Sequence, residues 1–123
     1  MQLSDEDFQT IVQEAIDSIP AGFQHYLHEI AIDIEDEPDE ATCRELRLRS
    51  PRELLGLYRG TPLTHRHVED PCRFPERIVI YQRNLERLCR TREQMMAEIR
   101  KTVLHEVGHH FGLSERQLRE LGF

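Results

Sequence analysis

The chain has 123 residues, of which 32% are charged and 38% hydrophobic, and its formal net charge at pH 7 is −7. This length predicts one domain, residues 1–123, and the composition is typical of a globular protein in water. The negative charge argues against nucleic-acid or anionic-membrane partners, and no apolar run is long enough to span a membrane. The N-terminus has no features of a signal peptide, and the three cysteines show no C-x-x-C spacing. The expected location is therefore the cytoplasm, with the cysteines as free thiols.

Two elements are predicted in the first 35 residues. Ser4 and Asp7 resemble a capping box that opens a helix, and Pro20 ends it. The helix is expected to cover one face of a sheet, because its apolar residues form one stripe: Phe8, Ile11, Val12, Ala15, Ile16 and Ile19. Residues 23–27 are compatible with one helical turn. The alternation of isoleucine with other residues from Ile30 to Glu35 predicts a half-buried strand.

The middle of the chain predicts two strands separated by a long loop. The acidic run 35–40 is interpreted as a solvated loop, and the arginines that follow it up to residue 52 are expected to be screened by these acids. Residues 54–58 predict a strand that ends in a turn. The loop 60–75 contains His65 and His67, which are interpreted as solvent-exposed, although a loop of this length can border an active site. The apolar run at 77–82 predicts a strand covered on both faces, followed by a short helix or turn at 84–90.

The end of the chain predicts a long helix and a short one. Thr91 and Gln94 form a capping box that opens a helix from Arg92 to Phe111. Its expected buried face consists of Met95, Met96, Ile99, Val103, Leu104 and Val107. Gly108 costs the helix about 1 kcal/mol relative to alanine, and a close approach by another backbone would explain it. A last helix is predicted from Ser114 to Leu121.

The long helix carries an H-E-x-x-H motif at residues 105–109. His105 and His109 lie one turn apart on the same helix face, so both imidazoles can reach one metal ion at roughly 2.0–2.1 Å. Glu106 lies about 100° around the helix, beside the position that the protein leaves open on such a metal. There it can serve as general base for water. The motif therefore predicts a zinc-type catalytic site.

A third metal ligand is expected after the helix. Gly112 can adopt a positive φ and end the helix, and the next carboxylate is Glu115, at the spacing where extended motifs place a third ligand. Glu115 also has a second interpretation, because Ser114 and Gln117 around it are typical of a helix N-terminus with a first-turn carboxylate. His110 is interpreted as a surface histidine or one that supports the ligands from behind.

Three segments, LLGLYRGTPL, RIVIYQRNLERLC and HEVGHHFGLSERQLRELGF, follow an amphipathic helix in this order. Together they resemble a family of small bacterial zincin-like metallopeptidases, the minimal zincins, from about Ile11 to Phe123. The resemblance implies an α+β domain in which a small sheet packs against the N-terminal helix and the active-site helix. It implies that His105 and His109 are metal ligands and that Glu106 is the catalytic glutamate. The family's third ligand position is usually aspartate, and Glu115 occupies it here.

The leading functional hypothesis is a peptidase that uses one Zn²⁺ ion and Glu106 as general base. If the strand at 77–82 lies at the sheet edge, an extended substrate can pair with it. Since no methionine follows the motif, Phe123 is a candidate for the floor of the metal site. Two alternatives remain: a domain that binds metal or protein without turnover, and a regulatory protease with one cellular partner. A domain this small is also compatible with a homodimer.

Overall fold

The computed structural model describes residues 1–28, 30–60 and 76–120, with the side chains of residues 25 and 26 left out. The described chain is α+β. Its helices are α1 (Asp5–Asp17), α2 (Ala21–Leu27), α3 (Glu40–Leu46), α4 (Gln82–Leu88), α5 (Arg92–His110) and α6 (Glu115–Glu120). Its strands are β1 (Ala31–Glu35), β2 (Gly56–Arg59) and β3 (Arg77–Tyr81), and a single 3₁₀ turn at Pro51–Glu53 precedes β2. No described helix has the length and apolar character that a membrane crossing requires.

The three strands form one mixed sheet in the order β1-β3-β2. β3 runs parallel to β1 and antiparallel to β2, so it is the central strand. Ile78, Val79, Ile80 and Tyr81 are all buried, which confirms the prediction of a strand covered on both faces. Because β3 has a neighbour on each side, a substrate strand cannot pair with residues 77–81, and that prediction is wrong. Among the described strands, β2 and β1 are the edges.

The predicted N-terminal helix is confirmed, although its main partner is another helix. Ser4 caps it, since its Oγ accepts a hydrogen bond from the Asp7 N–H at 3.1 Å. The apolar stripe of α1 packs chiefly against α5, and the expected cover over a sheet face is secondary. Phe8 and Ala15 of α1 and Met95 and Ile99 of α5 are completely buried in the core that these two helices share with the sheet. α1 thus holds the helix that carries the motif.

Helix α3 lies in the arginine-rich segment for which the sequence predicted no element. The Asp39 side chain caps it by accepting a hydrogen bond from the Thr42 N–H at 2.8 Å. Arg59 at the end of β2 connects α3 to the sheet, because it donates to Thr42 Oγ1 at 2.6 Å and lies 3.3 Å from a Glu45 carboxylate oxygen. These contacts do not involve the acidic run 35–40, whose Asp36 and Glu37 lie against Arg83 and Arg87 of α4. The expected screening by the arginines up to residue 52 stays a prediction.

Two of the three cysteines lie in the described residues. Cys43 is partly exposed, Cys89 is buried, and both are free thiols, as predicted. Burial raises the pKa of the Cys89 thiol above its usual value, which keeps it protonated at neutral pH. Cys72 lies outside the described residues.

Candidate metal centre

Helix α5 presents the motif in its last two turns and then ends in a way that returns the chain to it. The predicted capping box starts the helix: Thr91 Oγ1 accepts from the Gln94 N–H at 3.1 Å. At the other end, the Leu113 N–H donates to the Gly108 carbonyl at 2.7 Å and the Gly112 N–H donates to the His109 carbonyl at 3.1 Å. This pair of bonds is the Schellman motif, and Gly112 adopts the φ of +81° that it requires. The chain therefore reverses within a few residues and begins α6.

The reversal brings the three predicted ligand side chains together. One ligand atom each from His105, His109 and Glu115 lies within 4.8 Å of the others. His105 Nδ1 is 3.2 Å from Glu115 Oε2, and His109 Nε2 is 2.9 Å from Glu115 Oε1. The two carboxylate oxygens thus face one imidazole each. The exposed fraction of the three side chains rises from 21% for His105 to 47% for His109 and 56% for Glu115, so the group opens towards solvent.

A backbone contact indicates which ring nitrogen of His109 carries the hydrogen. His109 Nδ1 lies 3.1 Å from the Leu113 carbonyl, which can only accept, so Nδ1 carries the hydrogen. Nε2 is then left to face Glu115 Oε1. Two lone pairs at this separation repel each other unless a proton or a cation lies between them. Metal-ligating histidines characteristically donate their other ring N–H in this way.

The donor set fits zinc. Two ligand atoms on a tetrahedral Zn²⁺, each roughly 2.0–2.1 Å from the metal, lie about 3.4 Å apart. The two nitrogen–oxygen distances of 2.9 and 3.2 Å are close to this separation. Two imidazoles and one carboxylate also form one of the ligand sets found at catalytic zinc. Without metal, a proton on His109 Nε2 would hydrogen-bond to Glu115, and this bond together with the nearby His105 lowers the pKa of the Glu115 carboxyl, so Glu115 is ionised as a ligand must be.

Glu106 occupies a different environment from Glu115, although both are carboxylates beside the same histidines. It is partly buried, and this burial raises the pKa of its carboxyl above the usual value. The Tyr58 backbone N–H of β2 donates to Glu106 Oε2 at 3.2 Å and acts in the opposite direction on that pKa. The site therefore pairs an exposed, ionised carboxylate with a partly buried one suited to accepting a proton.

The family model of the zincin-like metallopeptidases matches residues 27–123, more than three quarters of the chain. The chain belongs to this family. No curated protein matches it as a relative. The match runs from α2 to the C-terminus, and so includes the whole sheet and the complete motif.

The short helix α6 of this zincin-like domain positions Glu115 through a contact at Gly108. A Cβ at Gly108 would lie 2.7 Å from Leu118 Cδ2, and Leu118 is completely buried. The sequence predicted a close approach at Gly108, but the partner is this side chain and not a backbone. Ser114 also caps α6 through a hydrogen bond from the Gln117 N–H at 3.2 Å. The two interpretations of the segment are thus compatible, since Glu115 faces the histidines from the first turn of a capped helix.

The side chain of His110 is buried in the zincin-like domain, which excludes the first of its two interpretations, a surface histidine. The second, a histidine that supports the ligands from behind, stays a prediction. Only 1% of the His110 side chain is exposed. Its ring stacks on that of Tyr58 with a centroid separation of 4.4 Å, and its Nε2 lies 3.2 Å from the Tyr58 hydroxyl. Sequence reasoning missed Tyr58 entirely. The available signal was its position in the apolar run before the long loop, which says nothing about a partner 52 residues away.

The site candidates His65 and His67 in the long loop and Phe123 at the C-terminus lie outside the described residues.

Proposed function

We propose that the protein is a zinc-dependent peptidase in which His105, His109 and Glu115 hold the metal and Glu106 is the general base. The observation that carries this proposal is the convergence of three ligand atoms within 4.8 Å beside a partly buried carboxylate. The family match supports the same reaction class. When bound, zinc would supply Lewis acidity, which would lower the pKa of water towards about 7 and polarise the scissile carbonyl.

Glu106 performs the proton transfers. Its raised pKa brings the carboxylate closer to the basicity that a general base needs at neutral pH. It takes a proton from the attacking water and later delivers it to the nitrogen of the leaving amine. The Tyr58 N–H holds one of its oxygens, Oε2, so that the other oxygen has a defined direction for this exchange.

Strand β2 is the proposed support for the substrate. The Tyr81 N–H donates to the Leu55 carbonyl, and backbone groups along a strand alternate in direction, so Leu57 and Arg59 also face β3. Gly56 and Tyr58 therefore direct their backbone groups away from β3, towards the side where Glu106 lies. The Tyr58 N–H is taken by Glu106, so an extended peptide placed along this side would pair with other outward groups of β2. It would reach the metal site by β-augmentation, with β2 in the role first considered for residues 77–82.

A small groove lies next to this strand. It has a volume of about 220 Å³ and is lined by described residues of β2, its preceding segment and α5, including Leu55, Thr102, His105 and Glu106. Pockets for whole small molecules are usually larger, about 300–1,000 Å³. The groove thus suits one or two substrate side chains. A second candidate function follows from its size: a regulatory protease that cleaves one cellular protein and few generic peptides.

The test uses zinc-loaded protein and a broad peptide library, with cleavage followed by mass spectrometry. We expect wild type to cleave and Glu106→Gln to lose at least about a hundredfold in kcat/KM, since general acid–base groups contribute roughly 10²–10⁴-fold. Glu93→Gln, which removes an exposed carboxylate from the first turn of the same helix, is the matched control and should retain activity. Equal activity in wild type and Glu106→Gln would refute the mechanism.

The alternatives correspond to distinct results of this experiment. Stoichiometric zinc with no cleavage of library peptides or cellular proteins would favour a domain that binds without turnover. Cleavage of one protein in a cell extract, lost in Glu106→Gln, would favour the regulatory protease.

A further inference from the structure

Tyr58 contacts two residues of α5 that are one helical turn apart. Its backbone N–H donates to Glu106 Oε2 at 3.2 Å, and its ring stacks on His110 at a centroid separation of 4.4 Å. Residues four apart lie on the same side of a helix, so Tyr58, on the edge strand β2, contacts that side of α5 at two positions. One point is the proposed base, and the other is a histidine that the proposed mechanism does not use.

The contact with His110 is specific for a tyrosine. The rings are nearly parallel, with an interplanar angle of 24°, and the Tyr58 hydroxyl lies 3.2 Å from His110 Nε2. The His110 side chain is 1% exposed, and its Nε2 lies 3.8 Å from Glu76 Oε1. A buried imidazole costs free energy unless its nitrogens are hydrogen-bonded, so the hydroxyl has a defined partner in a place where water is excluded.

Gly60 lies close to the tyrosine hydroxyl. A Cβ at Gly60 would lie 3.1 Å from the Tyr58 hydroxyl oxygen and 3.3 Å from the Glu76 Cα. The φ of Gly60 is +155°, a backbone conformation that residues other than glycine rarely adopt. The end of β2 therefore has no room for a larger residue at position 60 beside the ring tip.

We propose that Tyr58 and His110 are positioning residues for Glu106: their side-chain contact locks β2 onto the last turns of α5 and so holds the Tyr58 N–H against the catalytic carboxylate. This inference rests on the proposed function, in which Glu106 is the base. Neither residue touches the reacting atoms. They affect the reaction by orienting the Glu106 carboxylate, because small displacements of a catalytic group lower the rate strongly.

Amide hydrogen exchange of metal-free protein, resolved by residue with NMR, tests the inference without any substrate. Tyr58→Phe keeps the ring and removes the hydroxyl, and His110→Ala removes the stacking partner. Each should accelerate exchange of the residue 58 amide about tenfold, while the Val79 amide in the central strand stays at its wild-type rate. His110→Gln, which retains a polar group, should exchange more slowly at residue 58 than His110→Ala. Glu106→Ala, which removes the acceptor, calibrates the full effect.

Three results would overturn the inference. One is an unchanged rate at residue 58 in both Tyr58→Phe and His110→Ala. Another is an equal acceleration at Val79, which would show general loosening. The third is no acceleration in Glu106→Ala, which would show that the carboxylate does not hold this amide. Tyr81→Phe, which removes a hydroxyl from the end of β3, is the matched control and should leave residue 58 at its wild-type rate.

Kinetics on zinc-loaded protein give a second readout. Tyr58→Phe should lower kcat about ten- to a hundredfold, with KM and zinc content near wild type, because it displaces the base and leaves the ligands in place. An unchanged kcat would count against the inference. If wild type itself cleaves nothing, the proposed function fails, and the exchange experiment still decides whether the pair holds Glu106.

Discussion

The two parts of α5, called here the scaffold half and the site half although they are unequal in length, differ in what their side chains do while forming one continuous helix. The scaffold half, Arg92–Leu104, directs its apolar side chains into the core against α1, where Met95, Ile99, Val103 and Leu104 are 0–1% exposed. The site half, His105–His110, carries the motif and holds two of the three proposed ligands. The Glu115 ligand that completes the set is 56% exposed. Stability and metal binding should therefore be separable by substitutions within this single helix.

The largest expected effect is on stability, in the scaffold half. Ile99→Ala removes a completely buried side chain, and such truncations cost about 2–5 kcal/mol. Urea denaturation of the metal-free protein measures this loss. Zinc bound per folded molecule should stay at the wild-type value. A variant that loses zinc while still folded would show that the two halves are not separable.

The converse substitution is His109→Ala in the site half. It should weaken zinc binding by at least about a hundredfold, since even residues behind the ligands are worth roughly 10–100-fold. The free energy of unfolding of the metal-free protein should change little, because the side chain is 47% exposed. Competition with a chromophoric chelator measures the affinity. Retained affinity would remove His109 from the ligand set.

An intermediate effect is expected where the two halves meet α6. In Gly108→Ala the new Cβ meets Leu118 Cδ2 at 2.7 Å. Overpacking costs about 1–3 kcal/mol, and the better helix propensity of alanine offsets about 1 kcal/mol of it. Because Leu118 docks the helix that bears Glu115, zinc affinity should also fall.

The double variant Gly108→Ala with Leu118→Ala separates this clash from other causes. Leu118→Ala makes room for the new Cβ. Adding Gly108→Ala to Leu118→Ala should therefore lower zinc affinity less than Gly108→Ala does in the wild-type background. A Gly108→Ala protein with wild-type zinc affinity would mean that α6 does not position Glu115 through this contact.

The smallest effect is expected in α3, which belongs to neither half of α5. The hydrogen bond from the Thr42 N–H lowers the pKa of the exposed Asp39 carboxyl. A lowered pKa in the folded state stabilises the protein above the unfolded value of about 3.9, and this contribution disappears as pH falls through the folded value. The stability difference between wild type and Asp39→Ala should therefore shrink between pH 6 and pH 3. Denaturation at several pH values measures it, and zinc affinity at pH 7 should be the same in both proteins.

The features that the sequence predicted well depend on residues close together in the chain. The caps at Ser4 and Thr91 and the glycine that ends α5 act within a few residues, so their patterns are visible in the sequence. The approach of Glu115 to the motif follows from the same local geometry. Helix α3 escaped prediction because it buries only Thr42 and so lacks an apolar stripe.

The features that the sequence missed connect distant segments. The central position of β3 follows from the strand order, which no local sequence pattern indicates. The grip of Tyr58 on Glu106 joins residues 48 positions apart, and the side chain that meets Gly108 arrives from another helix. The ligand residues could thus be proposed from the motif alone, whereas the residues that orient the base required the fold.

The most direct test of the central claim is the zinc content of wild type and Glu115→Ala, measured by elemental analysis after identical loading and dialysis. Arg116→Ala, a substitution at the next and more exposed position of α6, is the matched control. We expect one zinc per chain in wild type and Arg116→Ala and a large loss in Glu115→Ala. Unchanged zinc in Glu115→Ala would contradict the assignment of Glu115 as the third ligand.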